Sequence, residues 1–188
     1  ALGIVSVSRL FAPIFWGEDF APCAYILSAL ALSIPFSGFA NVIRMQYLIP
    51  NGMDGAYILS VILGAVSNLM ANSLLIPRCG ALGAAVGTVI AEGVVCAAQC
   101  LAVKKRIDIL AYLKSTAFFG MAGLLMYGAV RVLDQRAEIT VSWLLLEIVV
   151  GGSVYCILSV LYLYHTKNEL LMTALQKLGG AHQNNDRG

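Results

Sequence analysis

Five uninterrupted apolar blocks dominate this chain, and each is about as long as a membrane-spanning helix, which needs roughly 20 apolar residues in a row. The blocks run over Ala24 to Ile43, Ala56 to Ile76, Ala81 to Val103, Tyr112 to Leu133 and Val141 to Tyr164. Hydrophobic residues make up 60% of the chain and charged residues 12%, against about 45–50% and about 25% in soluble domains. The sequence therefore predicts an integral membrane protein.

The spanning segments are predicted to be helices. Only α-helices and closed β-barrels satisfy every backbone hydrogen bond in lipid, and continuous apolar blocks lack the alternation of barrel strands. A sixth block, Leu2 to Trp16, is shorter and lacks the basic segment and cleavage site of a signal peptide. We therefore expect an all-α, polytopic membrane bundle of about six helices over residues 1–164, with the first helix truncated.

The basic residues predict the orientation, because cytoplasmic loops retain Lys and Arg. With the C-terminus inside the cell, eight basic residues face the cytoplasm: Arg44, Lys104, Lys105, Arg106, Lys114, Lys167, Lys177 and Arg187. Arg78, Arg131 and Arg136 then face outward. We expect residues 165–188 to form a cytoplasmic tail whose amphipathic start lies at the membrane interface.

Among the polar side chains inside the apolar blocks, Asn68, Asn72 and Glu92 are candidates for a functional role. Asn68 and Asn72 belong to a stripe of small and polar residues at helical spacing, which is typical of close helix contacts. They are predicted either to clamp two helices together or to line a wet cavity. Glu92 is predicted either to line a cavity as a proton or cation site, or to serve as a protonated hydrogen-bond donor between helices.

Arg44 is the second candidate, and it stands with Asn41 and Gln46 near the end of a helix that contains Pro35. A guanidinium fits phosphate oxygens in a bidentate way, so Arg44 is a candidate for binding a phosphate group. The alternative role is that of an anchor whose long side chain reaches the membrane interface. Gln46 is a further candidate for binding the same molecule as Arg44.

Arg9 and Glu147 are further charged residues within the apolar segments. Arg9, one turn before Pro13, is a candidate for the same cavity as Arg44. We expect Glu147 to form a structural ion pair with Arg131 across the last helical hairpin.

Searches for catalytic and cofactor motifs find nothing. The sequence has no Gly-rich phosphate loop, no His and Cys cluster at metal-ligand spacing and no G-x-S-x-G motif. We predict that the chain is not an enzyme, holds no cofactor or metal, and does not bind nucleic acid.

An ordered series of short motifs covers most of residues 15 to 105. It comprises Gly17-Glu18-Asp19-Phe20-Ala21-Pro22, Gln46-Tyr47-Leu48-Ile49-Pro50, Asn68-x3-Asn72-x2-Leu75-Ile76-Pro77, Gly80-Ala81-x-Gly83-Ala84-Ala85 and Gly87-Thr88-x3-Glu92. In this order and spacing the chain resembles the C-terminal part of bacterial oligosaccharide and polysaccharide flippases, members of the multidrug/oligosaccharidyl-lipid/polysaccharide exporter superfamily. Beyond about residue 110 only the hydropathy matches.

The resemblance implies an intact protein of about a dozen or more helices in two lobes, in the bacterial cytoplasmic membrane. This chain would be most of the second lobe, and its partners would be the bilayer, the missing N-terminal lobe and the substrate. That substrate would be an undecaprenyl diphosphate-linked oligosaccharide, flipped by alternating access for surface polysaccharide synthesis. The pathway candidates are Arg44, Gln46, Asn68, Asn72 and Glu92.

Two other functions stay open. A multidrug or cation antiporter of the same superfamily would use Glu92 as its coupling carboxylate, although the Gln-Tyr-Leu-Ile-Pro string at residues 46–50 favours the flippase. A non-transporting membrane scaffold for polysaccharide synthesis is the third possibility.

Overall fold

The structure, a computed structural model, describes residues 1–165 and is built of helices, with no strand in that range. The elements are α1 (Leu2–Trp16), α2 (Cys23–Ala31), α3 (Ser33–Ile43), α4 (Asp54–Val103), α5 (Ile109–Asp134) and α6 (Val141–His165). A short 3₁₀ turn, Glu18–Phe20, joins α1 to α2. The predicted all-α class is confirmed, while the predicted tail beyond His165 lies outside the described residues.

Four helical segments of this range are long and apolar enough to cross a membrane. They are Cys23–Leu48, Asp54–Val103, Ile109–Asp134 and Val141–His165. Length and composition therefore support a membrane protein, as predicted. The remaining helix, α1, is apolar but has 15 residues.

The first long segment bends between α2 and α3 because of Pro35. Proline has no N–H to donate and its ring clashes with the carbonyl four residues earlier, here that of Ala31, where α2 ends. After α3 the helix widens into a π-helical turn, Arg44–Leu48, in which the Ile49 N–H donates to the Arg44 carbonyl over 3.0 Å. The helix thus reaches five residues beyond the predicted boundary at Ile43 and stops just before Pro50.

The 50 residues of α4 form a tight hairpin of two antiparallel halves. The chain reverses at Gly80, whose φ of 56° lies in the left-handed region that glycine tolerates without steric cost. Beyond the turn, Gly83 approaches the Leu75 backbone, Gly87 approaches Asn72, and Gly64 approaches Val95. These contacts agree with the predicted helices at residues 56–76 and 81–103, joined at Pro77 to Gly80.

Helix α1 lies between two groups of helices. On one side it packs against α2, with the hydroxyl groups of Ser8 and Ser28 2.8 Å apart, and α2 and α3 pack against α4. On the other side α1 packs against the hairpin formed by α5 and α6. Arg44 and Lys104 to Arg106 lie at one end of this bundle, called the basic end below, and Trp16, Gly80 and Asp134 lie toward the opposite end.

The hairpin contact at Gly83 should be sensitive to a single methyl group. A Cβ at Gly83 would collide with the Leu75 backbone, whereas a Cβ at Gly93 in the same half of α4 would meet no atom within 4 Å. We expect Gly83→Ala to destabilise the protein by about 1–3 kcal/mol through overpacking. Gly93→Ala, the matched control, should be neutral or stabilising, because alanine favours a helix over glycine by about 1 kcal/mol.

Thermal unfolding of the detergent-solubilised variants measures both effects. A Gly83→Ala protein as stable as wild type would contradict the close contact. Equal destabilisation by both substitutions would show that the close contact at Gly83 is not the cause, because a Cβ at Gly93 meets no neighbouring atom.

Candidate functional site

A polar cleft of about 460 Å³ opens between α3 and the α4 hairpin, on the side of the basic end. We call it the arginine cleft. Its α3 wall carries Ser33, Ser37, Asn41 and Arg44, spaced three and four residues apart so that they share one helix face. Its α4 wall is lined by Tyr57 and Val61 from the first half and by Glu92, Val95 and Gln99 from the second.

The Arg44 guanidinium is held in place from two sides. One terminal nitrogen donates to the Tyr57 hydroxyl over 3.3 Å, and the other donates to the Asn41 side-chain oxygen. The guanidinium carbon also lies 5.4 Å from the centre of the Tyr57 ring, within cation–π range. A guanidinium has five N–H groups, so residues 1–165 leave most of them free, including that of the buried Nε.

The π-helical turn that begins at Arg44 helps to position this side chain. Such turns are rare inside α-helices and occur frequently at functional sites. Here the turn ends at Leu48, which lies with Val103 in the apolar core at the basic end, and both side chains are fully buried. Arg44 therefore extends from a packed helix end rather than from a loop.

Glu92 lies on the opposite wall, deeper in the bundle. It is eleven residues before the end of α4 at Val103, which corresponds to about 16 Å along a helix. Its carboxylate is half-buried and takes part in no hydrogen bond or ion pair in the described part of the chain. The cleft thus presents a cation near the basic end and an unpaired acid deeper in the bundle.

Gln99 lines the same wall as Glu92, about two helical turns further along α4. Its side-chain amide is buried and donates to the Ser60 hydroxyl across the hairpin over 3.1 Å. Its carbonyl oxygen accepts no hydrogen bond from residues 1–165. The cleft therefore offers both donors and an acceptor to a polar molecule.

The other sequence-predicted candidates lie elsewhere. Gln46 lines a separate cavity of about 120 Å³ whose other walls include Phe39, Val103 and Ile107. Asn72 donates to the Asn68 side-chain oxygen over 2.8 Å and packs against Gly87, between the two halves of α4. Of the predicted set, the arginine cleft brings together Arg44 and Glu92.

Three polar residues of the cleft were not identified from the sequence: Ser33, Ser37 and Tyr57. The two serines precede Asn41 at intervals of four residues, and this regular spacing was the available signal. Tyr57 gave no such signal, since an aromatic residue near a helix end is typical of the membrane interface.

A second group of charges occupies the opposite end of the bundle. Arg9 binds Asp134 through its Nε at 2.7 Å and a terminal nitrogen at 2.5 Å, and Arg131 binds the other Asp134 oxygen at 3.2 Å. The prediction that Arg131 pairs with Glu147 is wrong, because Asp134 takes its place. Arg9 lies in this group and not in the arginine cleft.

Nothing in residues 1–165 brings three or more His, Cys, Asp or Glu side chains together in a way that would hold a metal ion. The five cysteines are all free, so Cys23 and Cys79 form no disulfide. Arg44, Glu92 and their neighbours supply hydrogen bonding and charge recognition in the cleft.

Comparison with known proteins returns no match: no family model, no curated protein and no solved structure resembles the chain significantly. The resemblance to flippases therefore stays a prediction from the motifs.

Water in the arginine cleft has a direct chemical test. A thiol reacts as its thiolate, which forms in water and not in lipid. Ser37 lines the cleft, whereas its neighbour Phe36 is exposed on the outer surface of α3 and does not line it. In a variant whose native cysteines are replaced by alanine, we expect Ser37→Cys to react with a charged maleimide and Phe36→Cys to stay largely unlabelled.

Labelling is measured in intact membranes by gel shift. Labelling of both positions at the same rate would contradict the assignment of this helix face to a wet cleft.

Proposed function

We propose that this chain is most of the second lobe of a membrane flippase that moves a diphosphate-linked oligosaccharide lipid across the bacterial cytoplasmic membrane. The observation that carries the proposal is the state of Arg44. Its guanidinium is fixed by Tyr57 and Asn41 inside a polar cleft of an otherwise apolar bundle, and most of its N–H groups are left free. The ordered motifs between residues 15 and 105, which resemble those of flippases, support the same proposal.

The chemistry of the cleft suits a phosphate-bearing head group. Two parallel N–H groups of a guanidinium bind two phosphate oxygens, which fixes both position and orientation. The cleft volume of about 460 Å³ lies within the ~300–1,000 Å³ of typical ligand sites. In the intact protein it would form one wall of a larger cavity, completed by the missing N-terminal lobe.

The proposed topology has six spans: α1, the bent pair α2 and α3, the two halves of α4, α5 and α6. The basic end faces the cytoplasm, because Arg44 and Lys104 to Arg106 all lie there. Arg44 would then meet its substrate from the cytoplasmic leaflet. Rocking of this lobe against the other would open the cleft to the outer leaflet.

Glu92 supports a second candidate, a cation-coupled multidrug antiporter. A half-buried carboxylate without an ion-pair partner in residues 1–165 is a plausible cation site, since intramembrane acids are costly and commonly functional. The two candidates differ in substrate charge: the flippase requires Arg44, and the antiporter requires Glu92.

The flippase proposal is tested by replacing Arg44 in the full-length protein. Lysine keeps the charge but loses the bidentate geometry, so Arg44→Lys should reduce export about 10- to 100-fold, which corresponds to about 1.5–3 kcal/mol for charge-assisted hydrogen bonds. Lys104→Gln is the control, because Lys104 is an exposed basic residue at the same end. Surface polysaccharide and accumulated lipid-linked oligosaccharide are measured in a flippase-deficient strain.

Export by Arg44→Lys equal to that of the Lys104→Gln control would leave Arg44 as an interfacial anchor and would reject its role in the site.

The antiporter is tested by efflux of a cationic dye, ethidium, from cells that express the full-length protein. We expect no efflux above the vector control, because a site organised around a guanidinium repels cations. Efflux that is present in the wild type and lost in Glu92→Gln would instead establish the antiporter.

A further inference from the structure

Two buried polar atoms on residues that line the arginine cleft have no hydrogen-bond partner in residues 1–165, and they are of opposite kinds. The Nε of Arg44 is a donor without an acceptor, and the side-chain oxygen of Gln99 is an acceptor without a donor. Buried polar atoms are normally hydrogen-bonded in proteins, because an unpaired one has lost its water and gained nothing in exchange. A ligand that brings an acceptor to Arg44 and a donor to Gln99 would satisfy both atoms.

The contacts of Gln99 inside the hairpin determine which of its two polar atoms is left over. The Ser60 hydroxyl donates to the Tyr57 carbonyl over 2.6 Å, so its oxygen accepts from the Gln99 amide nitrogen over 3.1 Å. With the amide turned over, the Ser60 proton would be needed for Gln99, and both the bond to the Tyr57 carbonyl and the partner of the amide nitrogen would be lost. The Gln99 side chain, which is 2% exposed, therefore offers an acceptor to a ligand.

Two further acceptors line the cleft on residues farther from the basic end. Glu92 lies about two helical turns before Gln99 on the same wall, and its carboxylate takes part in no hydrogen bond or ion pair in the described part of the chain. On the α3 wall, the Ser33 hydroxyl donates to the Leu30 carbonyl over 2.7 Å, which leaves its oxygen to accept. Away from Arg44, the cleft thus offers acceptors at three positions.

The donor and the acceptors lie at different depths. Arg44 begins the π-helical turn at the basic end, whereas Ser33 is eleven residues earlier on the same bent segment, about 16 Å along a helix. Glu92 precedes the end of α4 by the same number of residues, and Gln99 precedes it by four, about 6 Å. A ligand that reaches all of them therefore carries an acceptor at one end and donors along the rest of its length.

Hydroxyl groups suit these acceptors better than an ammonium group does. Gln99 and Ser33 are uncharged, and a neutral hydroxyl group satisfies them without bringing a second cation into the cavity that holds the Arg44 guanidinium. A hexose attached to a phosphate carries several hydroxyl groups next to an anionic acceptor. A glycosyl phosphate therefore matches the cleft at both ends.

We propose that Ser33, Glu92 and Gln99 form a glycosyl subsite, in which they accept hydrogen bonds from the hydroxyl groups of the sugar next to the diphosphate that Arg44 binds. The subsite rests on the proposed function and deepens it, because it names the residues that recognise the sugar and the direction in which the head group lies. The diphosphate lies toward the basic end, and the sugar extends along α4 toward Glu92.

This subsite distinguishes a lipid that carries sugar from one that does not. A diphosphate lipid without sugar can bind Arg44, but it leaves the buried Gln99 oxygen unpaired, and sites built to hydrogen-bond a hydroxyl group reject ligands that lack it. The glycosylated lipid should therefore bind the wild type more tightly than the bare diphosphate lipid.

Native mass spectrometry of the purified full-length protein measures the binding of both lipids in one spectrum. The probes are undecaprenyl diphosphate and its glucosylated form. Gln99→Met keeps the length of the side chain but removes the acceptor. We expect it to weaken binding of the glucosylated lipid about 2- to 10-fold, as for the loss of one hydrogen bond, and to leave binding of undecaprenyl diphosphate unchanged.

Glu92→Leu is a second variant, and its folding is not in question because it removes an acid from an apolar helix. It should weaken binding of the glucosylated lipid alone, whereas Arg44→Lys should weaken binding of both lipids. Ser73→Ala is the matched control, because it removes an exposed hydroxyl group of α4 that does not line the cleft, and it should change neither affinity.

A wild type that binds neither lipid would overturn the proposed function and the subsite with it. Equal affinity of the wild type for both lipids would overturn the subsite alone and leave the diphosphate site at Arg44 in place. So would Gln99→Met and Glu92→Leu variants that either keep wild-type affinities or weaken both lipids equally. Equal weakening is the result that a merely structural role of Gln99 predicts, because a distorted hairpin affects every ligand of the cleft.

Discussion

The close contact between the two halves of α4 determines the geometry of the cleft. Within lipid the hydrophobic effect does not drive helices together, so association depends on close packing and on hydrogen bonds. Gly64, Gly83 and Gly87 allow the backbones to approach, and Gly80 permits the reversal. This contact fixes the register in which Gln99 meets Ser60, and the same register places Tyr57 of one half and Glu92 of the other on a common wall. The cleft exists because the hairpin is closed.

Arg9, Arg131 and Arg44 lie in two kinds of environment. A charged side chain at the bilayer centre costs about 2.5–3.5 kcal/mol on insertion scales, so each arginine must face water or pair with an acid. Arg9 and Arg131 pair with Asp134. Arg44 faces the cleft, supported by a tyrosine ring and an amide that compensate little of its charge. A charge that is paired with an opposite charge stabilises the packing of helices. A charge without such a partner in a cavity remains available to bind a ligand of opposite charge.

The hydropathy of the sequence predicted where helices lie along the chain, but not which side chains face one another in the bundle. The start and end of α1, the reversal near Pro77 and Gly80, and the hairpin of α5 and α6 follow from block length and turn residues. Arg44 and Glu92 meet in one cleft, but Gln46 does not, because hydropathy does not specify which way each helix face turns. The predicted pairing of Arg131 with Glu147 failed for a local reason. Asp134 belongs to α5 and lies three residues from Arg131, on the same helix face, so it competes successfully for that guanidinium.

The position of α1 gives the two polar sites a physical connection. It contacts α2 on one side and both α5 and α6 on the other, so it cannot move relative to one group without changing its contacts with the other. The contacts at Ser8 and Arg9 are adjacent in the chain but face different helices. A shift of α1 against α2 on binding of a ligand in the arginine cleft would therefore also change the ion pair between Arg9 and Asp134. The arginine cleft and the ion pairs of Arg9 and Arg131 with Asp134 thus lie toward opposite ends of one bundle and are joined by one short helix.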